Sequence, residues 1–324
     1  MNLGIAGEFR CVVLREDGTV KEDTGYQRNL LLDQGLDYFG GKHGSDISSR
    51  LLLGSGNSKP EVSQTLLDSP VAIASRTSTS TDFTYSDKGD GLYRLWQENV
   101  YRFSDISNIN ISELGLASAR TSSTSTPLIG DYWLTTRALI KNLSGNPTTI
   151  TLLDGEILDV YYKIHKVIDV SERAFVIGMT DGDGGSIPYN VKIKGFAVGL
   201  SSNTVTQNTS SVNGSGSTSS QARVSSDEWE DITTGTLKTG VPIQNVVSAE
   251  TYIDRSYKRT YKLSLGLNQG NIPIRSFFSG SYSQFIPFQV RFGSVEDDSP
   301  IDKTLSDSFE MKLEVSWSRY LGDL

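Results

Sequence analysis

Two histidines, one cysteine and a few clustered carboxylates are the residues of this chain whose types suit nucleophilic, acid–base or metal chemistry. His43 lies in GGKHGSD and His165 in YYKIHKV. No C-x-x-C or H-E-x-x-H accompanies either, so no zinc site is expected. No G-x-S-x-G elbow is present, and two isolated imidazoles do not make a serine's base. His165 reads as a half-exposed sheet residue and His43 as a loop residue. Cys11 stands in the apolar run EFRCVVLRED, where a free thiol packs as a small hydrophobe. A single cysteine also rules out a disulfide framework within the chain.

The carboxylates offer three more possibilities. MTDGDGGSIPYN places Asp181 and Asp183 two residues apart, and a hard cation such as calcium seeks several oxygens. The glutamate that closes an EF-hand loop is missing, because that region is Tyr189–Asn190. An Asp/Gly-rich hairpin tip explains the stretch without an ion. SSDEWEDI sets Glu228, Glu230 and Asp231 around Trp229, and acids beside an aromatic ring can mark a glycoside-cleaving site. Such chemistry needs two carboxyls at a set separation, whereas a solvated charge cluster at a strand entry needs nothing more. Glu113 in ISELGL shares parity with Ile109 and Ile111, which favours burial and a partner such as Arg120 or Arg137. A bulge would turn it outward, and both readings stand. GSGNSKP lacks the spacing of a phosphate loop. No catalytic, cofactor-binding or metal-binding residue is assigned, and the chain is not expected to be an enzyme.

Strands must position most of these groups. FRCVVLR–EDGT–VKEDTG reads as a hairpin over residues 6–24. YRLWQENVYRFS, INISELGLAS, YWLTTRALIKN and TTITLLDGEILDVYYKIHKV follow. The last holds two strands joined at Asp154–Gly155, with Leu158, Val160 and Tyr162 on one face. Trp96, Trp133, Trp229 and Trp317 stand mostly in strand-like contexts and read as core rather than ligand platforms. One short helix is expected near 29–39, where Leu32, Leu36 and Phe39 fall at i, i+4 and i+7. Asn29 would cap it and Gly40–Gly41 would stop it. The Ser/Thr/Gly/Asn tract 204–227 is too polar for core and reads as a loop or an exposed β-arm. TLLDGEILDVYY near 151 faintly echoes TLSDSFEMKLEVSW near 304, which would fit a duplicated β-module.

The chain has 324 residues, 36% hydrophobic and 21% charged, enough for a large core. Strand vocabulary, 31 glycines and turn-rich spacing point to a mainly β fold. The expected class is antiparallel β-sandwich or jelly-roll-like domains with one or two short helices. Two domains are expected. Residues 1–170 form a β-rich unit with the helix near 29–39, and 171–324 form a second with the polar loop or arm 204–227. A net charge of -8 gives nucleic acid no electrostatic help, so no nucleic-acid partner is expected. No apolar run is long enough to span a membrane. The N-terminal residues lack a signal-peptide pattern, which points to synthesis in a cytoplasm.

The order of motifs over residues 1–165 resembles that of tailed-bacteriophage virion proteins. An N-terminal hairpin leads to NLLLDQGLDYFGG, then LLLGSGNSKPEVSQTLLDSPV, then YRFSDISNINISELGLAS, then LTTRALIKNLSGNPTTITLLDGEILDVYYKI. The resemblance implies a structural subunit of a tail, neck or collar, baseplate or fibre base, made in the host bacterial cytoplasm and carried in the virion. It implies copies of the chain in a symmetric ring, docked to other tail or neck proteins. It also implies that the short helix plugs one open end of a sandwich. Two other readings are carried beside it. One is a fibre or lectin-like module that binds host cell-surface glycan. The other is a depolymerase acting through Glu228, Glu230 or Asp181.

Overall fold

A computed structural model describes residues 2–39, 47–79, 84–87, 89–119, 129–130, 132–169, 171–180, 183–195, 221–229, 241–244, 247–279 and 288–324. Strand β1 (Asn2–Leu14) turns at Gly18 into β2 (Val20–Asp23), giving the expected hairpin. The short β3 (Gln27–Arg28) and β4 (Leu30–Leu31) then lead into α1 (Asp33–Phe39). A long loop separates β5 (Arg50–Gly54) from β6 (Pro70–Thr79). After β7 (Thr84–Asp87) come β8 (Leu92–Phe103), β9 (Ile109–Ile111) and β10 (Glu113–Ala119). The strands β11 (Tyr132–Leu134), β12 (Thr136–Leu139), β13 (Ile150–Leu152) and β14 (Ile157–Asp169) follow.

These strands form a ring. Hydrogen-bonded neighbours run β1-β14-β8-β6-β5-β10-β12-β4. The β3–β4 segment closes it: Gln27 and Arg28 pair with Phe9 and Glu8, and the Asn29 amide donates to the Gly7 carbonyl at 3.2 Å. Closure leaves few bare edges and creates an inside. Leu3, Ile5, Phe9, Cys11 and Val13 of β1 and Leu158, Val160, Tyr162 and Ile164 of β14 fill it, in strict alternation. The Tyr162 hydroxyl donates to Thr136 Oγ1 at 3.0 Å, linking β14 to β12. Cys11 is fully buried, and burial pushes its thiol pKa up, as expected of core filler.

Beyond residue 170 the chain builds β15 (Arg173–Thr180), β16 (Ser186–Gly195), β17 (Gln221–Ser225), β18 (Val241–Gln244), β19 (Val247–Ala249) and β20 (Lys258–Leu265). It ends with β21 (Pro273–Ile274), β22 (Ser276–Ser279), β23 (Phe288–Ser294), β24 (Ile301–Asp302) and β25 (Phe309–Arg319). Six of these make a second sheet in the order β15-β16-β23-β22-β17-β18. It packs on β20 and β25, with Phe292 edge-on to Phe309 at 5.9 Å between ring centres. The fold is therefore mainly β and antiparallel, as expected, with one short helix among the described residues. Among the described residues a single pair is parallel: residues 2–5 of β1 against 316–319 of β25. Through that pair β19, β20 and β25 join the sheet of the ring, so strands from both sides of residue 170 share one sheet. Within the polar tract, Gln221–Ser225 forms a strand between β18 and β22, while 204–220 lie outside the described residues. The two stretches with similar sequence flank β1 in opposite senses, β14 antiparallel and β25 parallel.

Candidate functional site: a buried ion pair that anchors an exposed loop

Glu113 begins β10 and Arg137 lies on the neighbouring β12, where Glu113 is registered with Leu139. Neither side chain has any exposure. Arg137 Nε donates to Glu113 Oε2 at 2.9 Å. The outward option for Glu113 is thus excluded, and its partner is Arg137; Arg120 lies outside the described residues. A charge pair taken this far from water persists only if its remaining hydrogen-bonding capacity is filled. The loop between β5 and β6 fills it. Glu113 Oε1 accepts the Gly56 amide at 3.1 Å and the Ser69 amide at 3.0 Å. The Arg137 guanidinium donates to the Ser58 carbonyl and hydroxyl, both at 3.2 Å, and lies 2.8 Å from Asp68 Oδ2. Asp68 in turn accepts the Ser58 amide at 3.0 Å. Its carboxyl is held below the ordinary range by hydrogen bonds from Ser58 and by Arg137 beside it.

Two glycines make this approach possible. A Cβ on Gly54 or on Gly56 would stand 2.5 Å from Glu113 Oε1, and one on Gly56 would also collide with Asp68. The LGSGN motif is therefore spaced to let backbone close on a carboxylate, which is the physical content of those glycines. The loop is held at its far end by Leu67, buried with Leu32, Leu52, Ala117, Tyr132 and Leu134 in a small cluster of its own. Between these anchors, Val62 and Leu66 are 39% and 51% exposed. The Val62 carbonyl accepts the Asp33 amide at 2.9 Å, joining the loop to the start of α1.

The helix is an organiser of the same region. Leu32, just ahead of it, and Leu36 are buried as expected; the Phe39 side chain and Gly40–Gly41 lie outside the description. Asn29 does not cap it. The helix starts at Asp33, and Asn29 sits between β3 and β4 with its amide nitrogen on the Tyr162 hydroxyl, because that segment is needed to close the ring. The Leu36 carbonyl accepts Trp317 Nε1 at 2.9 Å, and Asp37 accepts the Tyr252 hydroxyl at 2.7 Å and the Arg255 amide at 2.6 Å. The helix thus ties the ring to β25 and to the loop before β20.

The other candidate residues stand apart from this network. His165 is buried, 4% exposed, rather than half-exposed, because the Trp96 ring covers it at 5.7 Å. Its Nε2 lies 3.0 Å from Glu8 Oε2, and its Nδ1 has no partner. Burial lowers its pKa, with Glu8 opposing. Glu228 is gripped by both Nε and a terminal nitrogen of Arg291, at 2.6 and 2.9 Å. That grip lowers its pKa, the opposite of what a general acid requires. Trp229 lies under the Lys194 ammonium, 4.4 Å from the ring centre. Trp317 is buried and Trp133 packs against the core. Asp183 is exposed at the β15–β16 hairpin, and no cluster of three potential metal ligands exists among the described residues. His43, Asp181, Glu230 and Asp231 lie outside them. Among the described residues no helix is long and apolar enough to cross a membrane.

The motifs that carry the family resemblance meet here. Strands β5, β10, β12 and β4, drawn from LLLGSGN, ISELGL, LTTRAL and NLLLDQGL, are consecutive neighbours in the sheet. Strand parity singled out Glu113, with Arg120 and Arg137 as alternative partners; the structure selects Arg137. Sequence reasoning missed Asp68 and Ser58, whose only signal was a loop position near glycines. No protein-family model, curated protein or solved structure matches this chain.

Proposed function

We propose that this chain is a structural subunit of a tailed-phage tail, neck or baseplate, working by docking onto copies of itself and onto neighbouring virion proteins. The observation that carries this reading is the use made of the Glu113–Arg137 pair. This fully buried charge pair is wrapped by the β5–β6 loop. It clamps a loop and leaves Val62 and Leu66 facing outward. A clamped loop with apolar tips loses little freedom on binding, which is what a docking element between subunits requires. Four of the ordered segments of the first half, in β4, β5, β10 and β12, gather around that clamp and support the same reading.

The test is compositional. Tailed particles purified from cells that make this chain are examined by mass spectrometry, and the chain is located by electron microscopy. The expected result is a fixed copy number per particle, lost when Val62→Asp and Leu66→Asp are combined in a chain that still folds. Particles complete without this chain would overturn the proposal.

A further inference from the structure

Tyr162 and Ile164 of β14 face into the ring, so alternation sets His165 on its outer wall. There the imidazole is 4% exposed, lies 5.7 Å from the Trp96 ring of β8, and meets the Glu8 carboxylate of β1 through Nε2 at 3.0 Å. A carboxylate only accepts, so Nε2 carries the proton and Nδ1 is a bare lone pair. Among the described residues nothing hydrogen-bonds to Nδ1. The charges around the ring are already engaged. Glu8 is in register with Arg28 of β3 and with Lys163 of β14, and both cations act on it. Lys163 stands 3.8 Å from the centre of the Tyr26 ring and 6.0 Å from that of Trp96. It is registered with Glu98 of β8, which accepts the Tyr26 hydroxyl. Further along β1, Arg10 pairs with Asp23. On the other flank Arg94 pairs with Asp90. Beyond β8, β7 places Thr84 and Ser86, residues with no titratable group, in register with Trp96 and Arg94. From the C-terminal segment, Asp323 lines one hollow with Arg28 and with Ala6, the cross-strand neighbour of His165.

Burial keeps the imidazole neutral near pH 7. In acid, a proton on Nδ1 finds no acceptor and brings a third positive charge to the single anion that Lys163 and Arg28 already share. A buried cationic N–H without a partner is costly, and water is the acceptor left to it. Trp96 stands between that N–H and water. We propose that His165 is a proton-operated latch: acid drives its ring out from beneath Trp96, opening the outer wall of the ring between β8 and β14 while the two strands stay paired. The unbroken register of β14 with β1 and β8 on either side of His165 keeps the change local to side chains. The latch goes beyond the virion reading and does not depend on it, since it needs only the folded chain.

Acrylamide quenching of tryptophan fluorescence tests it with the full chain. The difference between wild type and Trp96→Phe isolates Trp96 from the other three tryptophans. Its quenching constant should rise at least about twofold between about pH 7.5 and about pH 5, with circular dichroism unchanged. His165→Gln keeps a neutral donor towards Glu8 and gains no proton in this range, so the rise should vanish. Glu8→Gln removes the anion that favours the closed, charged ring, so it should move the midpoint to higher pH even if His165→Gln fails to fold. Constant accessibility of Trp96 across the range would overturn the proposal. So would a rise that persists in His165→Gln, one that accompanies loss of the dichroism signal, or a midpoint indifferent to Glu8→Gln.

Discussion

Arg137 donates through Nε to Glu113 at 2.9 Å, with both side chains wholly removed from solvent. The pair joins adjacent strands of the ring, yet most of the hydrogen bonds that make it tolerable come from a loop. Loop and pair therefore stand or fall together.

Glu113→Ala should destabilise the fold by about 3–5 kcal/mol, because it strands a buried guanidinium. Glu113→Gln keeps the shape and acceptor oxygen and should cost less. Urea unfolding measures both. Limited proteolysis should cut within 55–69 in the alanine variant before global unfolding; a resistant loop would contradict the clamp.

Gly56→Ala tests the close approach separately. Its methyl would crowd Glu113 Oε1 at 2.5 Å and strike Asp68, so the loop must shift. Overpacking of this kind costs about 1–3 kcal/mol. A melting temperature equal to wild type would show that the loop has room the structure does not.

Lys166 faces inward beside Ile5, its partner across β1, and is 3% exposed. Burial pulls its pKa from 10.5 down to about 7. Between those values the unfolded chain binds a proton that the folded chain lacks, so stability should rise from about pH 7 towards pH 10. The ceiling is about 1.4 kcal/mol per pH unit. Chemical denaturation at stepped pH should show this slope, and Lys166→Met should flatten it.

His165 and Glu8 act together at acid pH. The folded pKa of His165 lies below its ordinary 6.5, so the unfolded chain takes up a proton first and stability should fall as pH drops through about 6.5. Glu8 is held below 4.5, chiefly by its hydrogen bond with His165, and adds a further loss as pH falls through its own folded pKa. His165→Gln should remove the upper step. A denaturation midpoint unchanged between pH 7 and pH 5 in the wild type would contradict the assignment.

Trp317→Phe deletes the Nε1 bond to the Leu36 carbonyl and shrinks a buried ring that packs on Tyr252 at 5.6 Å. At least about 1–3 kcal/mol should be lost, from the unpaired carbonyl and the gap together. The protease sensitivity of the segment around Asp37 should rise, since the helix is held to β25 by that contact. Equal sensitivity in the two proteins would count against the helix as a tie between the ring and β25.

Much of this architecture is local and was legible. The 6–24 hairpin, the face of Leu158, Val160 and Tyr162, and the buried Leu32–Leu36 pair all follow from period and turn chemistry, which neighbouring residues set. Asn29 shows the limit. Its type suits a helix cap, but ring closure placed it between two short strands, and no nearby residue announces that requirement. His165 shows another, for its burial depends on Trp96 arriving from a different strand.

By itself the sequence determined the mainly β class and the turn positions, because these depend on residues close along the chain. Only the tertiary structure decided that Glu113 turns inward, that Arg137 is its partner, that Asp68 and Ser58 complete the cage, and that β1 joins the ring to β25. Those outcomes depend on which distant strands become neighbours, and pairing of that kind is selected by the packing of the whole core.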